Sequence, residues 1–508
     1  MLYDVADFEK LWRCDVKRPI IALVVAGTVL AASGVNFSSS PERLVTDGIN
    51  PAFSPDGRRI AFQRLEEGEF HLCVVSVRGG AVAWIEKGPG MAAYPVWTPS
   101  GGLLYTYGHD AETARQAWIT KSQNGYGLRL WENGVKRDIT HGRCRDFTPC
   151  VSPDGKTAYF ASTRWVVEES KNYSIATSTD IGKVGVLGGE PERVVRSPGG
   201  NNTGFIQPAI SPDGRTLVWG HLENFFGNWR IYGAKIGNLD RTGWCMVSPP
   251  GINALAPRWH PNGRIICFTG FRKGDPGWGV WVEDVVTGKV RRIVTGENPA
   301  FSPDGKWLTY DRDRKVYVRP FVQTDEPNEE MPVTSWDDQE PEKVLWSVEN
   351  VSKEKSVTVD DTSKFAFGAD KTFFVRIKAK LDGTSGVRQL LIGDYKEHEL
   401  GFQTIVDRTV WFSTRLLNMN FTGSNSKAYK GEGVYTITGI RTAKRLLVSV
   451  NGCVPDTFPP ADMLSLDNFN RFVVGRGLKK GESVIKAEVG TGWPTDVPKF
   501  RRREDLFK

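Results

Sequence analysis

Six residues able to meet an anion recur along the first two thirds of a 508-residue chain: Arg64, His109, Arg164, His221, Arg272 and Arg312. Each stands just past a short apolar run, so if those runs are strands of repeated units the six side chains occupy one place per unit. Gathered at a confined mouth, they would focus a positive field and draw a carboxylate, a sulfate or an acidic sugar. The competing reading is arginine paired with a neighbouring turn or solvated at the surface. Trp229 and Trp278 hold matching places in the fourth and fifth repeats, and Phe225, Phe226 and Trp165 stand in long loops. Such rings offer stacking faces to sugars, or pack between units. Acidic residues are plentiful, and no spacing singles out a pair for glycosidase chemistry, so no catalytic residue is assigned.

The elements that must carry these residues announce themselves by repetition. NPAFSPDG (50–57), YPVWTPSG (94–101), TPCVSPDG (148–155), QPAISPDG (207–214), APRWHPNG (256–263) and NPAFSPDG (298–305) share one theme. Their second prolines, Pro55, Pro99, Pro153, Pro212, Pro261 and Pro303, fall 42 to 59 residues apart. That spacing belongs to stacked supersecondary units that cannot bury an apolar face alone. Pro-Asp-Gly is a tight turn, with proline presetting φ and glycine taking the left-handed position. Strand-like runs follow each copy (RRIAF, LLYTY, KTAYF, RTLVW, RIICF, KWLTY), and two more strands complete most units. Six four-stranded sheets about an axis make a six-bladed propeller. ERLVTD (42–47) has the character of a last strand, expected to complete the final blade and close the ring. The turn aspartate is replaced by Ser100 and Asn262 in two copies, so the motif is architectural and any ligand is expected on the opposite face, where the blades differ.

On these motifs the region 41–335 resembles the TolB-like propellers, whose repeats also occur in tricorn and prolyl-oligopeptidase relatives. The resemblance implies architecture. The peptidase relatives add a hydrolase with a G-x-S-x-G elbow, and no such pentapeptide occurs in this chain.

An acidic, proline-bearing stretch leads into a linker at 336–346, and 347–490 reads as short strands spaced by turns without a helical pattern. FFVRIKAKLDGTSGVRQLLIGD, LGFQ, TVWFST and RLLVSVNGCVPD resemble a laminin G-like, concanavalin A-like jelly roll, a β-sandwich. That resemblance implies carbohydrate or protein binding, with calcium as the one cofactor it leaves open, through Asp361, Asp394, Asp407 or Asp456. Otherwise no cofactor and no metal site is expected.

Residues 1–40 form a separate segment in which Pro19–Val35 is uncharged and apolar behind Lys17 and Arg18. It reads as a cleaved signal or a retained membrane anchor, and either sends the remainder to the periplasm or cell surface. The net charge of +7 from 66 basic and 59 acidic residues is too diffuse for nucleic-acid binding. Cys144 and Cys150 are near enough in sequence for a disulfide in such a compartment, with buried thiols the alternative. The end, 491–508, reads as a basic solvated tail. Together these observations point to an all-β, exported bacterial protein that binds glycans or envelope proteins; the alternative is a polysaccharide lyase or glycosidase at the channel mouth.

Overall fold

The computed structural model describes residues 42–330, apart from 88–89, 109–124, 142–143, 166–178, 198–203, 223–228, 240–243 and 250. It also describes residues 340–497, apart from 354, 360–371, 383–387, 394–397, 405–409, 417–418, 426–431, 442–445, 451–455, 458–471 and 477, together with Leu506 and Phe507. The apolar segment 19–35 lies outside the described residues, among which no helix is long and apolar enough to cross a membrane.

Each proline motif joins the first two strands of a four-stranded antiparallel unit. Units one and two open with Ile49–Phe53 and Met91–Trp97, and one parallel bridge, Phe70 to Met91, links them into a single eight-stranded sheet. Units three, four and five open with Asp146–Val151, Gly204–Ile210 and Ile252–Trp259. Unit six contains Glu297–Phe301, Trp307–Arg312 and Lys315–Pro320, and takes its outer strand, Arg43–Asp47, from far upstream in the chain. The opening strands touch in cyclic order, and those of units six and one meet. The fold is a β-propeller.

The apolar clusters explain the closure. One joins Ala61, Leu72 and Val74 of unit one to Trp97, Leu103 and Tyr105 of unit two. The next four repeat this across each seam, and the last joins Phe53, Ile60 and Phe62 to Val316 and Val318 of unit six. A fully buried Val, Leu, Ile or Phe contributes about 1.5–3 kcal/mol. A missing neighbour would therefore expose a whole cluster.

The opening strands share a feature that residue types do not announce. In all six, the residue before the first proline has φ between 49° and 53°: Asn50, Tyr94, Thr148, Gln207, Ala256 and Asn298. The strand register slips across that residue and its proline in every unit. A proline cannot donate to a ladder, so the bulge takes it out of the pairing. The freed N–H is captured by the preceding unit. Tyr94 donates to Gln63 Oε1 (2.9 Å), Thr148 to Thr106 Oγ1 (3.2 Å), Asn298 to Thr269 Oγ1 (2.8 Å) and Asn50 to Asp311 Oδ2 (2.8 Å). Unit three has Ala161 at the capping position, and Thr148 Oγ1 accepts from Gln207 instead (3.0 Å).

The Ser-Pro-Asp-Gly turns form a second circle, away from these bulges. In the first, Ser54 Oγ donates to Asp56 Oδ1 (2.5 Å), which also accepts from Arg58 N (3.0 Å), and Gly57 has φ 68°. The serine hydroxyl, then the backbone N–H, holds the Asp56 carboxyl below its usual range, and Asp154 and Asp304 repeat the arrangement. These aspartates are structural.

Beyond the propeller lie two six-stranded antiparallel sheets. Lys343–Ser352 is the first strand of one of them, and begins inside the stretch expected to be a linker, because it pairs along Ser483–Thr491. The unit also extends past 490, since Trp493 and Val497 pack on Phe374 and Ile440. The expected solvated tail ends differently as well. Leu506 is buried in the seam between units four and five, among Val218, Ile231 and Trp281, and Phe507 meets Trp259 edge-on at 5.9 Å. Gly233 makes room: a Cβ there would lie 3.1 Å from the Leu506 side chain.

Candidate functional site

The strands enter the ring from the face bearing the loops before each first strand and after each second strand. On that face lies a cavity of about 570 Å³. Its walls come from units one, two, three and six, together with Trp278 and Thr295 from unit five. Tyr94, Tyr126, Phe147 and Trp278 supply rings, and Glu297, Asp311 and Asp313 supply acid.

Unit six carries the acid for a local reason. Glu297 and Asp311 are direct partners on its first two strands, so their carboxyls share one side of the sheet. Asp311 is 6% exposed and accepts from the Asn50 N–H and from Asn298 Nδ2 (3.0 Å). Burial outweighs these bonds, the nearby Glu297 adds repulsion, and the carboxyl is pushed up to about 7. Burial and then Asp313 likewise push Glu297 up to about 7. Asp313 and Arg314 form the tip of the hairpin that follows, both left-handed with φ 51° and 59°. That conformation normally calls for glycine or asparagine at such a turn, and Gly48 N donates to Arg314 O (2.8 Å) to hold it.

Cations in the cavity are disposed differently. Arg312 is drawn outward by Glu42, which also accepts from Tyr310, and it stacks on Tyr317 at 4.4 Å. Arg145, 1% exposed, belongs to unit three, across the ring from unit six, and its guanidinium lies 5.7 Å from the Tyr126 ring. Burial pulls its pKa down to about 9.

Of the residues that spacing suggested, Arg312 and Trp278 line this cavity. Arg64 donates to Thr46 Oγ1 (2.9 Å) and to the Asp47 carbonyl, and lies against Trp84. Arg164 pairs with Asp146 (2.7 Å), and Arg272 with Glu329 (2.5 Å). His221 is buried among Phe205, Tyr232 and Trp244. Trp229 opens a third strand and donates its N–H to Asn253 Oδ1 (2.5 Å). His109 lies outside the described residues, as do Phe225, Phe226, Asp361, Asp394 and Asp407. Among the described residues no three His, Cys, Asp or Glu side chains gather as a metal site. The disulfide that sequence proximity allowed between Cys144 and Cys150 is not formed: both are buried thiols. Cys144 Sγ faces the Asp146 carboxylate at 3.9 Å, whereas Cys150 points into the seam between units three and four, where burial pushes its thiol up to about 12.

Spacing missed Glu297 and Asp311, yet a signal for them exists. The residue two before the first motif proline is Ile49, Ala93, Phe147, Ile206 or Leu255 in five units and Glu297 in the sixth. The capping position reads Gln63, Thr106, Ala161, Gly220, Thr269 and Asp311. A comparison of units column by column isolates both acids.

No family model matches this chain. It is similar to the "Uncharacterized peptidase YuxL" of Bacillus subtilis, 26% identical over 200 residues, covering 38% of this chain and 26% of that protein. It is also similar to dipeptidyl-peptidase 5 of Porphyromonas endodontalis, 23% identical over 229 residues, 37% of this chain and 32% of that one. A TolB homologue of Chlorobium luteolum is 26% identical over 117 residues, 23% of this chain and 24% of that protein. The chain thus spans a third or less of each of these relatives. Among solved structures, TolB from Acinetobacter baumannii has a TM-score of 0.39 at 19% identity, over 56% of this chain and 64% of that one. An oligogalacturonate lyase in complex with manganese has a TM-score of 0.34 at 11% identity, over 57% and 99%.

Proposed function

We propose that this chain is an exported, envelope-associated binding protein, a six-bladed TolB-type propeller joined to a laminin G-like jelly roll, and that the propeller mouth takes a glycan. The observation that carries this reading is the mouth cavity of about 570 Å³, ringed by Tyr94, Tyr126 and Trp278 and edged by groups of both charges. Its size falls in the range of small-ligand sites, and flat aromatic faces beside polar groups suit sugar rings. The similarity to a TolB homologue supports an envelope location. A glycan array probed with residues 41–508 tests the reading, with Trp278→Ala and Tyr94→Ala as controls. Glycan capture that both substitutions weaken supports it. Absence of capture, or capture indifferent to both, refutes it.

One observation favours a second reading, catalysis at the same mouth. Glu297 and Asp311 both titrate near neutrality, as a general acid in glycoside hydrolysis must. Release of reducing ends from a captured polysaccharide, lost in Glu297→Gln, would establish it; capture without release rejects it.

A further inference from the structure

Resting on the glycan reading, we propose that the ligand of the mouth is an amino-sugar oligomer with free amino groups, seated with an ammonium against the acidic wall of unit six. The acids of that wall lack counter-charges. Among the described residues, neither Glu297, Asp311 nor Asp313 takes part in an ion pair, although arginines stand in the same cavity. Arg312, the cation next in sequence to Asp311, is committed to Glu42 outside the acidic group. Arg314 shares the hairpin tip with Asp313, and Arg145 stands on the other side of the mouth, in unit three.

A hydrogen-bond inventory of the same wall points the same way. Asn298 lies at the floor of the cavity beside Asp311. When Asp311 is ionised it only accepts, so the Asn298 amide turns Nδ2 toward it, which leaves the amide Oδ1 as an acceptor. That Oδ1 is buried and has no donor. Glu297, Asp311 and Asn298 Oδ1 are therefore three acceptors on one wall, and an ammonium brings three donors and a positive charge. A neutral N-acetyl group brings one donor and a methyl. Burial first, then repulsion from a neighbouring carboxylate, raises the carboxyls of Glu297 and Asp311, and a bound ammonium favours their ionised forms. Trp278 and Tyr126 line the same cavity.

The experiment is calorimetric titration of residues 41–508 with a glucosamine tetramer, its fully N-acetylated counterpart and a glucose tetramer, at pH 7.0, where the sugar amines and the Glu297 and Asp311 carboxyls are each partly charged, and at pH 4.5. The expected result is at least about tenfold tighter binding of the glucosamine tetramer than of either neutral oligomer at pH 7.0. That preference narrows at pH 4.5, where Glu297 and Asp311 hold their protons although the sugar amines carry their full charge. Glu297→Gln reduces the preference to within about threefold. Asp313→Asn, at an exposed left-handed position that asparagine adopts readily, weakens the preference without a risk to folding. Equal binding of all three oligomers, or a preference untouched by both substitutions, overturns the proposal and leaves the glycan reading standing. Binding of none, with a peptide's free amino terminus bound instead, overturns both.

Discussion

Replacing Asp311 with asparagine should stabilise the protein at alkaline pH and have much less effect in mild acid. The carboxyl is almost fully buried, and burial, with Glu297 adding repulsion, lifts its pKa from the ordinary 3.8 to about 7. An unfolded chain releases this proton near pH 4, whereas the folded protein holds it to about pH 7. Between those values the folded state binds the extra proton, so stability falls as pH rises through the window. Three pH units correspond to about 4 kcal/mol at ~1.36 kcal/mol per unit, shared with Glu297 because the two carboxyls titrate together. Asparagine keeps an acceptor for the Asn50 N–H and cannot ionise. The variant should gain about 2–4 kcal/mol over the parent at pH 8, and about half of that or less at pH 5. Urea unfolding followed by tryptophan fluorescence at pH 5, 6, 7 and 8 measures the difference. A gap between variant and parent that is constant from pH 5 to 8 refutes the reasoning, because a purely steric effect of the amide would not titrate.

Three further outcomes follow from the packing. Leu506→Ala should cost about 2–4 kcal/mol, seen as an earlier thermal transition, because the leucine fills the seam between units four and five; an unchanged transition would show that the tail does not hold the seam. Gly48→Ala and Gly296→Ala should each destabilise by about 2 kcal/mol or more, since φ is +153° and +152° and the added carbon would lie 2.3 Å and 2.7 Å from Phe62 and Tyr310; denaturation midpoints equal to the parent's would refute this. In the second unit Arg376 pairs with Glu342 (2.5 Å), Glu488 (2.7 Å) and Asp496 (2.6 Å). Burial acts to raise the Glu342 carboxyl, but hydrogen bonds from Arg376 and Thr495 hold it at about 2. Its contribution is present above the unfolded value of about 4.5 and is lost as pH falls toward 2, so Arg376→Met should flatten the acid limb of the stability curve.

The architecture was legible because its signals are local. A proline, a spacer and a turn with glycine determine where strands begin and end, and the cyclic packing follows from six faces that need partners. Closure through Arg43–Asp47 was legible for the same reason, since ERLVTD has the alternation of an outer strand. The bulges were hidden: Asn, Tyr, Thr, Gln and Ala have no common preference for a left-handed φ. In five of the six, a side chain of the preceding unit holds the bulge by accepting its N–H, from 29 to 261 positions away in sequence. The site was obscured for a related reason. Arginine after the second strand attracts notice by charge, yet Asp146, Glu329 and Glu42 neutralise it from distant positions. Glu297 looks like an ordinary polar strand residue until it is set beside Ile49 and Ile206, and the burial that raises its carboxyl comes from the assembled ring.

The seating of Leu506 and Phe507 also orders events during synthesis. The last propeller strand, Lys315–Pro320, leaves the ribosome 186 residues ahead of Leu506. At about 5–20 residues per second that is on the order of ten to forty seconds in which the seam between units four and five lacks its final plug. The nascent ring must therefore persist unsealed while the second unit is made, and a nascent-chain complex stalled before Leu506 should be cut by protease at that seam.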